Sequence, residues 1–325
     1  SSSPKDLETA FQLIYLYYTA PRFDSTEYNV TLKNMKNMLP NMEKQPNFIF
    51  SNAYQKAMFD NNPRIPLFNS ELITKMNISA VEQGYRKLLS DAGASKLFIS
   101  GNVNIDSLKP LLEKYIGSLP VKNKKGMKSI NDKTTFTKRP INNIFSVEMK
   151  TPKTSLFIAH TGAMEMNLEN DILFDSFHSI LRMLYTKTIR EDEGGTYGVS
   201  TEGIIVREPE QQFVSLVAFD TEYEKSQKLL GLINKGMEEI AAKGPSDEYF
   251  NKTKENLIKA FPEKLISNSY WNNIVKDYYI NNYDANTNYI ETVKTVLTKE
   301  NIMKIAKSVI SGNEVKVIMN PEVKK

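Results

Sequence analysis

The stretch Arg190-Glu-Asp-Glu-Gly-Gly-Thr-Tyr197 carries the residue types in this chain best suited to handling a carbonyl. A helical run from Leu168 to Arg190 ends there on a charged turn. A Gly-Gly pair breaks the helix, and an alternating strand, Thr196 to Val206, follows at once. An arginine and a tyrosine therefore stand where helix hands over to sheet. A guanidinium and a phenol brought together can hold a substrate carbonyl and donate to the oxyanion formed from it. Neither group activates water unaided, so the corner reads as half of an active site. On residue types alone it also reads as an ordinary helix stop, with arginine favouring the negative helix end and glycine ending the helix.

The other half is not found elsewhere in the chain. Only two histidines occur: His160 is followed by Thr-Gly-Ala-Met and His178 by Ser-Ile-Leu-Arg. Neither fits H-E-x-x-H or its inverse, H-x-x-E-H. A zinc peptidase needs two imidazoles on one helical face, a third ligand and a carboxylate base. That set cannot be assembled here, and the two histidines read as packed or half-exposed. Cysteine is absent, which excludes thiolate metal sites and disulfides. No G-x-S-x-G elbow occurs, and Gly194-Gly195 lacks the preceding strand of a phosphate or dinucleotide loop.

The chain has 325 residues, is 40% hydrophobic and 25% charged, and carries a net charge of +4. That length predicts two domains with separate cores. The charge is dispersed rather than striped, so nucleic-acid binding is not indicated. No apolar run approaches the roughly 20 residues of a membrane helix. The start, Ser-Ser-Ser-Pro-Lys-Asp-Leu-Glu, lacks the character of a signal peptide and reads as a helix opening, with Ser3 as N-cap, Pro4 at the first helical position, and Asp6 and Glu8 at the positive end. A chain that begins on a cap reads as cut from something longer.

The spacing predicts helices over 5–19, 25–39, 46–59, 79–91 and 106–116, and a short apolar strand, Lys96-Leu-Phe-Ile-Ser100. Residues 121–139, rich in lysine, read as a solvated linker. Beyond them the pattern changes to period two: Asn142 to Met149 and Lys153 to Thr161 alternate like paired antiparallel strands. The long helix 168–190 follows, then strands Thr196 to Val206 and Gln211 to Phe219. Helices near 222–242, 246–261, 263–282 and 299–310 and a last strand, Glu314 to Met319, complete the series.

The tail repeats the head. Ser25-Thr-Glu27-Tyr28 returns as Ser246-Asp-Glu248-Tyr249, and Lys33 as Lys254. Each copy runs on through a long and a short helix to a brief strand, Leu97-Phe-Ile-Ser in one and Val315-Lys-Val-Ile in the other. In the second copy two strands, a helix and two more strands precede the repeated helices; in the first nothing does. Helices without a sheet lack a partner for their apolar face, so the first domain is expected to be truncated.

Three segments resemble a known family: Leu7-Glu-Thr-Ala-Phe-Gln-Leu-Ile-Tyr-Leu-Tyr-Tyr-Thr-Ala-Pro-Arg22; Phe98-Ile-Ser-Gly-Asn102 with Leu108 to Pro120; and Leu184 to Tyr197. They look like the inverzincin peptidases of insulinase, pitrilysin and mitochondrial processing-peptidase type, and most of all like large bacterial zinc proteases of that group. The resemblance implies an α+β fold of duplicated two-layer α/β domains, each with a mainly antiparallel sheet packed by helices. It implies that residues 1–120 are the later part of a third family domain, 121–139 a linker, and 140–325 a complete fourth domain. In such peptidases the first half carries H-x-x-E-H and zinc, and the second closes over it. The resemblance implies that Arg190 holds a substrate carbonyl and Tyr197 donates to the oxyanion. This chain would bind no metal or cofactor itself, the zinc lying in an absent N-terminal half. Its partners would be a peptide substrate and that half, in the same protein or a partner subunit, in the bacterial periplasm or cell envelope. As a fragment it would be inactive. The alternative is a non-catalytic family member that scaffolds a partner.

Overall fold

A computed structural model describes residues 2–122 and 134–322. In chain order the elements are α1 (Leu7–Thr19), α2 (Ser25–Met42), α3 (Pro46–Met58), α4 (Ser70–Lys75), α5 (Ile78–Leu89), α6 (Ile105–Leu111), β1 (Ile141–Val147), β2 (Thr154–Ala163), α7 (Leu168–Tyr185), β3 (Ser200–Val206), β4 (Gln212–Thr221), α8 (Ser226–Lys243), α9 (Asp247–Leu265), α10 (Asn268–Asn281), α11 (Tyr289–Val296), α12 (Lys299–Ile310) and β5 (Asn313–Pro321). The fold is α+β, as the resemblance implies. Two compact units form: Ser1–Asn41, Phe68–Asn131 and Ser267–Tyr279 make the first, and Met42–Leu67, Asp132–Ile266 and Ile280–Lys325 the second.

The second unit holds one five-stranded sheet in the order β1-β5-β2-β4-β3. β2 pairs antiparallel with β4 and with β5, and β3 antiparallel with β4. β1 and β2 were expected to pair with each other; instead β5 lies between them and runs parallel to β1. Alternation determines which face a residue takes, not which strand sits beside it. β5 is the more apolar neighbour, with Val315, Val317 and Met319 wholly buried, and it takes the inner position.

Alternate residues of β2 face opposite cores. Leu156 and Ile158 join Phe213, Val217 and Phe219 under the apolar faces of α7, α8, α11 and α12. Phe157 and Ala159 join Val214, Val315 and Val317 on the other face, where Ala57 and Met58 of α3 cover them. Tyr54 of α3 stacks on Phe157 with ring centroids 4.6 Å apart and planes 10° from parallel. With both faces covered, β2 is buried along almost its whole length. Thus α3, although within residues 1–120, belongs to the sheet's compact unit.

The lysine-rich stretch falls mostly outside the described residues. At its end Thr137 is buried, its N–H donating to the Met58 carbonyl at 2.8 Å, while the exposed Arg139 pairs with Asp60.

In the first unit α1 is tied to the helical turn Leu112–Ile116. Tyr115 donates to Glu8 at 2.8 Å and Lys114 pairs with the same carboxylate at 3.1 Å, which lowers the Glu8 pKa through both hydrogen bonds. Residues 96–100 are extended but pair in no β-ladder among the described residues, so the expected strand is not observed. Their polar groups bond to α10 instead: Ser100 donates to the Asn268 carbonyl at 2.9 Å and Asn272 to the Phe98 carbonyl at 3.4 Å. An apolar β pattern becomes a strand only where a neighbour completes its ladder. Helix α2 ends differently from expectation, with Pro40 inside its last turn rather than beyond its end, and α4 and α11 were not foreseen.

Candidate functional site

The corner that carries Arg190 is built outward from α7. Asn167 caps that helix by accepting from the Asn170 N–H. Ile172, Phe174, Phe177, Ile180, Leu181 and Tyr185 turn its apolar face inward. The Tyr185 hydroxyl, fully buried, donates to the Ile233 carbonyl at 2.9 Å, and burial raises its pKa. From Thr186 to Asp192 the helix widens to a π form. Such a turn shifts the phase of the side chains and is common at functional sites. Ile189 is wholly buried and its neighbour Arg190 is exposed.

The turn that follows is pinned at one residue. Gly194 takes a left-handed conformation at φ +55°, which glycine adopts without steric cost. Gly195 is buried. Its N–H donates to the Ile189 carbonyl at 3.0 Å, and its own carbonyl accepts from the Thr221 hydroxyl at 2.5 Å. A Cβ here would stand 2.6 Å from Cδ1 of Leu229, itself wholly buried. Beside it Lys228 pairs with Glu193 at 2.5 Å. Tyr197, two residues beyond Gly195, is 102% exposed. β3 begins only at Ser200, so Tyr197 stands in a loop and not in the expected strand. Arg190 and Tyr197 thus flank one glycine turn, both open to solvent. Neither side chain makes a hydrogen bond or ion pair with the described residues.

The two histidines are both packed. His178 Nδ1 lies 2.8 Å from the Phe174 carbonyl and Nε2 2.8 Å from Ser215 Oγ. A carbonyl only accepts, so Nδ1 carries the proton and Ser215 donates to Nε2. Burial pushes the His178 pKa down to about 4, against a smaller opposite effect of the Phe174 bond. Ser215 is 2% exposed, so this Ser–His pair has no path to a substrate and acts as a satisfied polar contact in the core. Burial also lowers the His160 pKa, with Glu314 opposing. No group of three or more metal-ligating side chains occurs among the described residues. An apolar hollow of about 290 Å³ between α3 and β3, lined by Tyr54, Met58, Phe59, Phe136 and Ile204, carries Glu202 but no serine, threonine, lysine or histidine.

Sequence reasoning missed Thr221, Ser215 and Gly203, strand residues that meet α7 or the turn beyond it. Only Gly203 left a signal, a glycine interrupting an alternating strand.

The described residues thus form a five-stranded sheet covered on both faces by helices, with an exposed arginine–tyrosine corner beyond the end of α7. The peptidase M16 inactive domain matches residues 75–257, more than half of the chain. This chain belongs to that family. It is 24% identical over 267 residues to the probable zinc protease PqqL of Escherichia coli, covering 80% of this chain and 28% of that protein. It is 23% identical over 294 residues to a PQQL-like zinc protease of Arabidopsis thaliana, covering 84% and 30% respectively. Among solved structures, the periplasmic protease PqqL of E. coli superposes with a TM-score of 0.78 at 21% identity, covering 98% of this chain and 35% of that one. A peptidase M16 inactive domain from Pseudomonas fluorescens gives 0.76 at 17% identity, covering all of this chain and 77% of that one. The chain therefore spans under a third of the length of the curated relatives. Among the described residues no helix is long and apolar enough to cross a membrane.

Proposed function

We propose that this chain is a non-zinc-binding wall of the substrate chamber of an M16 zinc peptidase. Arg190 holds a carbonyl of the bound peptide, and Tyr197 donates its phenolic proton to the oxyanion that develops at the scissile bond. The zinc and its H-x-x-E-H motif come from an N-terminal half, in the same protein or in a partner subunit. Residues 1–120 are read as the later part of one family domain and 140–325 as the next. The extended, unladdered segment 96–100, with Leu97 and Ile99 more than a third exposed, fits a domain whose sheet lies elsewhere. The likeness to the periplasmic PqqL supports a periplasmic or envelope location for this reading.

One observation carries this reading: two polar side chains without partners, both exposed and Tyr197 wholly so, on a corner whose base is buried and hydrogen-bonded. Exposed side chains without partners contribute little to stability, so changing them should leave folding intact, within about 0.5 kcal/mol. In the intact protein Tyr197→Phe is expected to lower kcat by roughly 10²–10³, with a smaller change in KM and the same melting temperature. Unchanged turnover would remove Tyr197 from the reaction.

A further inference from the structure

We propose that Thr221 is a positioning residue: its hydroxyl latches the glycine turn and so sets where Tyr197 stands relative to Arg190. The proposal rests on the reading of Arg190 and Tyr197 above and adds a residue that touches neither the peptide nor the reacting atoms.

Gly195 is the node. One of its backbone bonds reaches the Ile189 carbonyl, one residue from Arg190. The other backbone group, its carbonyl, accepts from Thr221 at the end of β4. Thr221 is 6% exposed and is held in the ladder opposite Thr154, so its hydroxyl is a fixed point of the sheet. A single residue thereby links the arginine side of the turn to the sheet, and Tyr197 follows two positions later. The packing is one-sided. Leu229 forms a floor under Gly195, whereas a Cβ on Gly194 would meet nothing within 4 Å. On the solvent side the turn is held only by the exposed Lys228–Glu193 pair among the described side chains, whereas the Thr221 bond and the Leu229 contact anchor it from beneath. Thr221→Val keeps the shape and removes the donor, leaving the Gly195 carbonyl buried without it. A reacting group displaced by about 1 Å costs on the order of 10² in rate.

The test uses the intact protein that contains this chain, with Thr221→Val, Thr221→Ser and Tyr197→Phe compared in hydrolysis of an unstructured peptide. Amide exchange of the 189–198 segment is followed by mass spectrometry in the same samples. Thr221→Val is expected to lower kcat by roughly 10- to 100-fold with KM nearly unchanged, while Thr221→Ser restores turnover. The Gly195 amide is expected to exchange faster in Thr221→Val than in the parent or in Thr221→Ser. Normal turnover in Thr221→Val beside a slow Tyr197→Phe would overturn the latch and leave the role of Tyr197 standing. A fully active Tyr197→Phe would overturn both. Exchange unaltered by Thr221→Val would overturn the latch whatever the turnover.

Discussion

The imidazole of His178 rests against Gly203: a Cβ built on residue 203 would sit 2.1 Å from Cε1 of the ring. Gly203 lies on β3 opposite Ser215, and Ser215 is the partner of Nε2. The glycine therefore makes room for a helix side chain that reaches down to bond the neighbouring strand.

Gly203→Ala should consequently overpack the core. The ring cannot retreat without giving up the Phe174 or the Ser215 bond. The expected loss is about 1–3 kcal/mol, read as a lower midpoint in urea unfolding with an unchanged slope. A midpoint equal to the parent's would show that the ring has room to move.

The same pair predicts a pH dependence. Burial holds the folded-state pKa of His178 at about 4, below the unfolded value of about 6.5. Between these values the unfolded chain binds the extra proton, so stability rises with pH through this window and falls as the pH drops from 6.5 towards 4. The full difference is about 3 kcal/mol. His160, also lowered by burial, adds in the same direction. Urea unfolding of the parent and of His178→Asn across pH 4–7 isolates the His178 share, since His160 is common to both. Parallel stability–pH curves for the two proteins would contradict it.

Helix α3 is expected to depend on the sheet. Phe157 is 6% exposed and stacks on Tyr54. Phe157→Ala should cost about 3–5 kcal/mol and should loosen α3, which amide exchange over residues 46–58 would register. Protection of α3 that survives the substitution would show that other contacts hold this helix.

Zinc supplies a further check. The purified chain is expected to hold no stoichiometric zinc, because both histidines are buried, the nitrogens of His178 are taken by Phe174 and Ser215, and no cysteine is present. About one tightly held zinc per chain by elemental analysis would contradict the proposed division of labour between this chain and an N-terminal half.

Much of this was written in local pattern. The 3.6-residue period of 168–190, with Gly194-Gly195 after it, determined a buried helix ending on a charged turn. Period two marked β1, β2, β3 and β4, and the missing H-x-x-E-H spacing was legible without coordinates. Neighbour relations were not. β5 entered between β1 and β2 because an alternating strand specifies its faces and leaves its partners to long-range burial. Residues 96–100, with the same apolar signature, stayed outside any ladder among the described residues. Tyr197 passed from strand to loop because Gly195 is anchored to Ile189 and Thr221, which delays the start of β3 to Ser200. Those anchors join residues up to 26 positions apart. Spacing records only periodicity, so a contact between two elements that touch once leaves no trace in it, and tertiary packing alone placed the latch.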